Sequence, residues 1–275
     1  MLLNHDNSLS APQDMKISCR GGELTLAGKY AFALQEWKYG SAVICCQEGF
    51  NGTVIANAPG KFIGVGHNEG GTEKFLDFAL AVDGRACPEF RGEFSGENAI
   101  YLRKTLLENL QVQIKSTFSG SEMLNSCTFQ AADEQKTALF YCHQYSWATH
   151  FDRFIFQDEK GSWENGICRS TGEMIYWGKF RCAALFSPEH QLAIAFAPDP
   201  ELARISTGKL WDRHIYHKFY CELDPAETIP AGTVSPEYFM LNTVIPAAEN
   251  EFSSRIQRWA DDLDDYWKNL SINHK

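Results

Sequence analysis

Residues 97–118 read ENAIYLRKTLLENLQVQIKSTF, and the interpretation of this stretch decides the fold class. Its leucines recur near helical spacing, which would suit an amphipathic helix. The second half, QVQIKSTF, instead alternates polar and apolar side chains with the period of two that is typical of a strand. Gly96-Glu97-Asn98 is typical of a turn. We therefore predict two strands joined at Leu107-Glu108-Asn109 rather than one helix.

The same alternation recurs from about residue 16 to 245, in short runs separated by Gly, Pro, Asn and Asp. Residues 75–82 alternate up to the Asp83-Gly84 pair, which is typical of a strand that ends in a tight turn. Comparable runs cover 99–105, 110–118, 124–130, 137–145, 151–157, 181–186, 192–196 and 215–223. The pattern predicts a mainly β fold, a large antiparallel β sandwich.

The C-terminus follows a different period. Between residues 250 and 270, apolar side chains recur at steps of three and four, at Phe252, Ile256, Trp259, Leu263, Tyr266, Trp267 and Leu270. Aspartates occupy several of the other positions, so this segment is predicted to form an amphipathic α-helix with one apolar stripe. We predict a flexible segment over 1–15 and a single domain over 16–275 that includes this helix.

Composition limits the possible partners. The 275 residues include 25 Lys plus Arg and 35 Asp plus Glu, a formal net charge of −10, and 44% are hydrophobic. Such a chain can bury a core, and it lacks the clustered cations that bind nucleic acid. No stretch is apolar enough to span a membrane, and the start lacks a basic region followed by an apolar one. We expect a soluble, cytoplasmic protein without nucleic-acid or membrane partners; the sequence predicts no oligomeric state.

The cysteines and histidines do not form a recognisable metal motif. Nine cysteines without a CxxC pair are expected to be buried thiols. His214 and His217 are three residues apart, a spacing that would place them on opposite faces of a strand, and no HExxH motif or third ligand accompanies them. We therefore expect neither a metal nor a cofactor.

Three segments carry candidate chemistry, and the first is the glycine-rich stretch 60–73, GKFIGVGHNEGGTE. It does not match the GxGxxG dinucleotide fingerprint. Two interpretations stay open: a wide solvated turn, or a substrate-binding loop that presents His67 and Glu69.

The second segment is 140–154, FYCHQYSWATHFDRF. In a regular strand, alternate positions share one face, and here these are Tyr141, His143, Tyr145 and Trp147. Aromatic rings stack on the apolar faces of pyranoses while their polar atoms hydrogen-bond the hydroxyls, so this row suits a sugar. The alternative is an aromatic sheet face packed against another element. His150 follows within a few residues.

The third segment is 209–223, KLWDRHIYHKFYCEL. If the segment is one strand, alternate positions place a polar set on one face, where Asp212, His214, Tyr216, Lys218, Tyr220 and Glu222 would line a cleft. No GxSxG elbow or other nucleophile context occurs in the chain, whereas histidines and carboxylates are plentiful. If the protein is an enzyme, these residues therefore favour acid-base catalysis by proton transfer.

Three stretches resemble the galactose mutarotase-like supersandwich, a β architecture of carbohydrate epimerases and of some glycosidase and polysaccharide-lyase domains. They are FSGENAIYLRKT with the two strands after it, the segment 141–152, and the late ETIPAGTVSPEYFML. The resemblance implies a mid-chain histidine as acid and binding group, which His143 or His150 would match. It also implies a late carboxylate as base, which Glu237 would match.

We accordingly predict a carbohydrate-active protein that binds a mono- or oligosaccharide, a small-molecule ligand, on a concave sheet face. If it is an enzyme with epimerase-like chemistry, the expected acid and base groups are His143 or His150 with Glu69 or Glu237.

Other side chains would bind the substrate. Arg91, Arg103 and Lys218 would hold hydroxyls or a uronate carboxylate. Two alternatives stay open. One is a lyase acting on a uronic-acid-containing sugar, with Tyr141 or Tyr145 moving the proton, and the other is a non-catalytic sugar-binding or structural module.

Overall fold

The computed structural model describes residues 13–46, 51–58, 60–64, 73–89, 91–224 and 228–273. These residues form two large β-sheets packed against each other, with two helices on the outer side of one sheet. The prediction of a mainly β sandwich is confirmed.

The strands are short and follow one another closely along the chain. In order they are β1 Met15–Cys19, β2 Gly22–Ala27, β3 Ala33–Tyr39, β4 Ala42–Cys45, β5 Gly52–Ala58, β6 Lys61–Gly64, β7 Lys74–Val82, β8 Arg85–Cys87, β9 Gly92–Gly96, β10 Ala99–Leu107, β11 Leu110–Phe118, β12 Glu122–Ala131, β13 Gln135–Lys136, β14 Leu139–Trp147, β15 Arg153–Gln157, β16 Trp163–Ile167, β17 Glu173–Gly178, β18 Cys182–Ser187, β19 Leu192–Pro198, β20 Ser206–Asp212, β21 His217–Leu223, β22 Thr228–Ile229 and β23 Tyr238–Pro246. The helices are α1 Pro200–Ile205, α2 Phe252–Asp261 and α3 Leu263–Asn273, and Gly28–Tyr30 forms one 3₁₀ turn.

Each large sheet has a mixed strand order. The 11-stranded sheet runs β17-β20-β21-β14-β4-β3-β2-β1-β9, with β5 added to β14 and β6 to β5. The 10-stranded sheet runs β16-β15-β18-β19-β23-β12-β11-β10-β7-β8, and β13 pairs with β22 as a separate ribbon. Among the described strands, all pairs are antiparallel except β1 with β9.

The stretch that decides the fold class forms the β10–β11 hairpin. Ala99 pairs with Phe118 and Leu107 with Leu110, and the register between them is unbroken. Glu108 adopts a φ of 53° in the turn, because a two-residue hairpin turn that matches the twist of the strands needs positive φ. The prediction of two strands instead of a helix is confirmed.

A shared aromatic core fixes which face of each strand points inward. Trp37, Trp147 and Phe219 of the 11-stranded sheet and Phe118 and Phe196 of the 10-stranded sheet are less than 2% exposed. Phe196 lies 5.5 Å from the Trp147 ring and 4.5 Å from the Phe219 ring. Burying each such side chain stabilises the fold by roughly 1.5 to 3 kcal/mol. The residues between these anchors must therefore point away from the core.

Helices α2 and α3 cover the outer face of the 10-stranded sheet. Phe252 and Ile256 pack on outward alanines of β18 and β19, and Leu263 and Trp267 pack beside Cys182. Small side chains on these strands let the helices approach the sheet closely. The predicted C-terminal amphipathic helix is confirmed, with one interruption at Asp262 between α2 and α3.

Three smaller expectations concern the termini and the thiols. Of the predicted flexible segment 1–15, residues 1–12 lie outside the described part of the chain, and Met15 already begins β1. Eight of the nine cysteines are buried, and the ninth, Cys87, is partly exposed. None of the helices described is long and apolar enough to cross a bilayer.

Candidate functional site

Four neighbouring strands, β17, β20, β21 and β14, carry polar and aromatic side chains on the face turned away from the core. The direction follows from alternation along β21, where Phe219 and Cys221 belong to the core. Residues directly opposite each other on paired strands share a face. The outer-face cluster defined in this way comprises Tyr141, Gln144, Ser146, Trp177, Lys209, Trp211, Lys218, Tyr220 and Glu222.

Tyr141 joins this cluster because of a β-bulge. The register between β14 and β21 shifts after Tyr141, which pairs with Glu222, so that His143 pairs with Cys221. The bulge leaves the Tyr141 ring 4.3 Å from the Tyr220 ring on the outer face. Bulges re-aim side chains in this way and are over-represented next to binding sites.

The predicted row of four residues on one face is therefore wrong. His143, Tyr145 and Trp147 lie between the sheets and are 3%, 2% and 0% exposed, and only Tyr141 of the four faces outward. The physical reason is the bulge, because one extra residue moves everything after it to the other face of the strand.

Gln144 and Lys218 lie on adjacent strands of the cluster. Lys218 Nζ donates a hydrogen bond to Ser146 Oγ at 2.8 Å and lies 5.6 Å from the centre of the Tyr216 ring. Gln144 is 3% exposed, and its Nε2 has no hydrogen-bond partner. A buried amide donor without a partner costs about 1 to 3 kcal/mol. This N–H group has almost no exposed surface, so a ligand oxygen would reach it only when neighbouring side chains of the cluster move aside.

Two tryptophans lie at one side of the cluster. Lys209 forms an ion pair with Glu222, and its Nζ lies 4.3 Å from the centre of the Trp177 ring, which is 70% exposed. Trp211 Nε1 donates a 2.6 Å hydrogen bond to a backbone carbonyl, and the Arg213 guanidinium stacks 4.6 Å from its ring centre. Both indoles are thus held in place by cations.

The Tyr141 phenol stays protonated. Burial, together with the Glu222 carboxylate and the Tyr220 phenol, raises the pKa of Tyr141 above its usual value. Near neutral pH it therefore offers an O–H donor rather than a general base.

Three of the predicted residues meet inside the sandwich instead. Arg103, His143 and Tyr145 line a cavity of about 30 Å³, which has room for a water molecule but not for a sugar ring. His143 Nε2 donates to the Tyr238 carbonyl at 3.2 Å, and burial lowers the pKa of His143 to about 4. Tyr145 Oη accepts a 2.7 Å hydrogen bond from Asn125. These groups form a buried polar network.

Arg103 belongs to a buried ion pair. Its Nη2 lies 2.5 Å from Glu73 Oε1, with the two side chains 1% and 7% exposed, and its Nε donates to the Ala31 carbonyl at 2.7 Å. Glu73 is the last residue of the glycine-rich stretch. His67 and Glu69 of that stretch lie outside the described residues, and Arg91 is exposed just before β9.

The structure does not assemble the predicted acid and base groups into one site. The two ring nitrogens of His150 bond the Ser187 hydroxyl at 3.0 Å and the Val43 carbonyl at 2.8 Å. Glu237 accepts from Ser126 and borders a groove of about 560 Å³ beside α3. Within the described chain, no hydrogen bond or ion pair joins Glu237 to His150 or to His143.

The segment 209–223 is a hairpin rather than one strand. β20 ends at Asp212 and β21 begins at His217. The alternation of side chains between the two faces therefore starts anew after the turn. Asp212 pairs with His217 on the inner side of the sheet, and His214 is exposed in the turn. The predicted face is therefore wrong for Asp212 and His214, while Lys218 is in the cluster and Tyr216 borders it.

The sequence patterns did not identify Gln144, Lys209 or the two tryptophans of the cluster as candidate site residues. The signal available in the sequence lies on the neighbouring strand, in HKFYCEL, where Lys218, Tyr220 and Glu222 alternate with core residues. A strand with one apolar face and one face of polar and aromatic side chains is typical of a ligand-binding surface.

Solved structures share this fold at low sequence identity. The Slr1438 protein from Synechocystis sp. PCC 6803 has a TM-score of 0.55 and 11% identity, over 89% of this chain and 100% of that chain. Galactose 1-epimerase from Lactobacillus acidophilus NCFM has a TM-score of 0.53 and 9% identity, over 82% and 92%. The GH36 α-galactosidase AgaA from Geobacillus stearothermophilus has a TM-score of 0.55 and 8% identity, over 86% and 41%.

No protein-family model matches the chain, and no curated protein sequence matches it. The structural likeness shows the fold alone, a large β sandwich that this chain shares with the galactose 1-epimerase and with part of the α-galactosidase. This agrees with the resemblance noted in the sequence.

Proposed function

We propose that this protein binds a mono- or oligosaccharide on the outer-face cluster. The observation that carries the proposal is the buried Gln144 Nε2, a donor without a partner on the strand next to Lys218. Ligand pockets commonly combine aromatic walls with a few fixed polar groups of this kind. Fold neighbours named as a galactose 1-epimerase and an α-galactosidase support the choice of ligand class.

Each part of a pyranose finds a complementary group on this face. The exposed indole of Trp177 offers an apolar platform for the C–H face of the ring. Gln144 Nε2 and Lys218 Nζ are donors for hydroxyl oxygens, and the Glu222 carboxylate accepts from hydroxyl groups. The sugar would lie across β14, β21 and β20.

The face supports binding more directly than epimerisation. The outward positions of β14, β17, β20 and β21 carry no histidine. The His143 imidazole bonds a backbone carbonyl inside the sandwich, and the half-buried His150 bonds the Val43 carbonyl. Epimerase-like exchange of protons with the ring oxygen would need a histidine and a carboxylate on opposite sides of the sugar.

A lyase is the second candidate, because Tyr141 and Lys218 lie on the same face. Lys218 would neutralise a uronate carboxylate, the Glu222 carboxylate would take the proton from the carbon next to it, and the protonated Tyr141 phenol would donate a proton to the leaving oxygen as the C=C bond forms. Formation of an unsaturated product that absorbs in the ultraviolet, from a uronate-containing oligosaccharide, would select this activity over binding alone.

The proposal is tested by calorimetric titration of galactose, glucose, N-acetylgalactosamine and galacturonate into the wild-type protein and two variants. Gln144→Leu removes the unpartnered donor, so we expect affinity to fall about tenfold with no loss of stability. Gln113→Leu, on the other sheet, is the matched control and should bind as the wild type does. Absence of binding to every sugar, or equal affinity of wild type and Gln144→Leu, would refute the proposal.

A further inference from the structure

A second cluster lies on the inner side of the β20–β21 hairpin. Cys168, Asp212 and His217 each offer one metal-ligating atom, and these atoms lie within 4.8 Å of one another. All three residues are buried: Cys168 is 6% exposed, Asp212 0% and His217 1%. Thiol, carboxylate and imidazole converge here in a space shielded from water.

The ring nitrogens of His217 have different surroundings. Nε2 faces the Thr149 carbonyl at 3.2 Å, and because a carbonyl only accepts, Nε2 carries the hydrogen in this contact. In a neutral imidazole, Nδ1 then carries no hydrogen and has a lone pair that can only accept a hydrogen bond or bind a metal. It lies 3.0 Å from Asp212 Oδ1, yet neither atom has a hydrogen-bond partner. Two acceptors therefore face each other without a donor between them.

The Asp212 carboxylate is held in this orientation by its other oxygen. Oδ2 accepts hydrogen bonds from the backbone N–H of Arg169 at 2.7 Å and of Thr171 at 3.1 Å. The carboxylate cannot rotate without breaking these bonds, so Oδ1 stays directed at His217. Groups that orient a ligand in this way are typical of metal sites.

Asp152 lies beside the cluster. The backbone N–H of Cys168 donates to the Asp152 carbonyl at 2.7 Å. Asp152 Oδ1 is buried and has no hydrogen-bond partner, and the Nε of Arg153 is 4.0 Å away. The Asp152 side chain is 47% exposed and lies outside the group of three converging atoms, but its carboxylate is near enough to act electrostatically on Cys168 and His217.

We propose that Cys168, Asp212 and His217 bind a zinc ion, and that the neighbouring Asp152 side chain turns towards the ion as the fourth ligand. Sulfur, nitrogen and oxygen donors in a set of four match the preference of Zn²⁺ for tetrahedral sites. Binding converts the Cys168 thiol to a thiolate, forms the Zn–S bond and releases one proton to solvent. The ion would tie the segment after β16 to the β20–β21 hairpin. Cys168 is the third ligand that the sequence pattern around His214 and His217 lacked.

The proposal is tested on the full, reduced protein by metal analysis and by cobalt substitution. Wild type should retain one zinc per chain through gel filtration, and Co²⁺ in its place should give the thiolate-to-metal charge-transfer band of a tetrahedral site. Cys168→Ser should lose the band and bind zinc about 100-fold more weakly or worse. Cys182→Ser, which removes a buried thiol elsewhere, should behave as the wild type does.

Two results would overturn the zinc site. One is a wild-type protein that retains no zinc and shows no thiolate band with Co²⁺, a measurement that needs no variant to fold. The other is a band that survives in Cys168→Ser. Thermal melting adds a further readout, since a chelator should lower the wild-type melting temperature and leave that of Cys168→Ser unchanged.

Discussion

Tyr141 and His143 are two residues apart on β14, yet their side chains lie on opposite faces of the 11-stranded sheet. In a regular strand both would share one face. The bulge between them sends the Tyr141 phenol to the outer-face cluster and the His143 imidazole into the buried polar network. This one irregularity separates the proposed binding surface from the interior of the sandwich.

The Tyr141 hydroxyl should contribute to ligand binding without contributing to the fold. Tyr141→Phe keeps the ring stacked on Tyr220 and removes the O–H donor, so we expect sugar affinity to fall about three- to tenfold, the effect of one lost hydrogen bond. Calorimetric titration measures this effect. Tyr39→Phe, on a strand outside the cluster, is the control, and an equal loss in both variants would argue against a role for Tyr141.

The ion pair between Arg103 and Glu73 should be a major stabilising contact. Arg103→Met removes the cation that neutralises the buried Glu73 carboxylate, and we expect the free energy of unfolding to fall by about 3 to 5 kcal/mol. Urea denaturation checks this value. Arg20→Met breaks the exposed pair with Glu97 and should cost less than about 1 kcal/mol. Similar losses in the two variants would show that burial is not what makes Arg103 important.

Stability should fall on acidification partly because of His143. Burial lowers the pKa of His143 from 6.5 to about 4, so between these values the unfolded chain binds a proton that the folded chain does not. Stability due to this group is therefore present above pH 6.5 and declines as pH falls towards 4, by about 3 kcal/mol in all.

The variant His143→Gln isolates this contribution. Its side-chain amide can still donate to the Tyr238 carbonyl, but it does not titrate. We expect unfolding free energies, measured by urea denaturation from pH 7 to 4, to decline less steeply in the variant than in the wild type. Parallel pH profiles would contradict the assignment of a depressed pKa to His143.

The apolar stripe of α2 should stabilise the sandwich. Ile256 is fully buried against the 10-stranded sheet, and Ile256→Ala should lower the free energy of unfolding by about 2 to 5 kcal/mol, the usual effect of such a truncation. Gln257→Ala, one position along on the exposed face, should change it by less than about 0.5 kcal/mol. Equal stability of both variants would mean that packing of α2 on the 10-stranded sheet does not stabilise the fold.

Sequence patterns predicted the fold well and the candidate site only in part. Alternation identified the β10–β11 hairpin and the helical period identified α2 and α3, because both signals are local and repeat several times. The site depends on single-residue events instead. The bulge after Tyr141 and the turn after Asp212 each shift strand parity, and neither has a sequence mark as strong as an Asp-Gly pair.

The sequence also could not show which residues that are distant along the chain lie close together in the fold. Cys168, Asp212 and His217 meet only because β20 and β21 form a hairpin whose end contacts the segment after β16. Likewise, Arg103 was predicted to hold a substrate, and its cation is instead neutralised by Glu73 across the sheet pairing of β7 and β10. A charged residue in an alternating strand does not reveal which partner it will face.

Whether a sugar binds at the outer-face cluster is measured by ¹⁹F NMR of protein labelled with fluorotryptophan. The chain has seven tryptophans, and single Trp→Phe variants would assign their signals. On addition of a sugar that binds, we predict shifts for Trp177 and Trp211 and none for the core and helix tryptophans, Trp37, Trp147, Trp259 and Trp267. Shifts confined to Trp259 and Trp267, or no shift with any sugar, would show that sugars do not bind at the outer-face cluster.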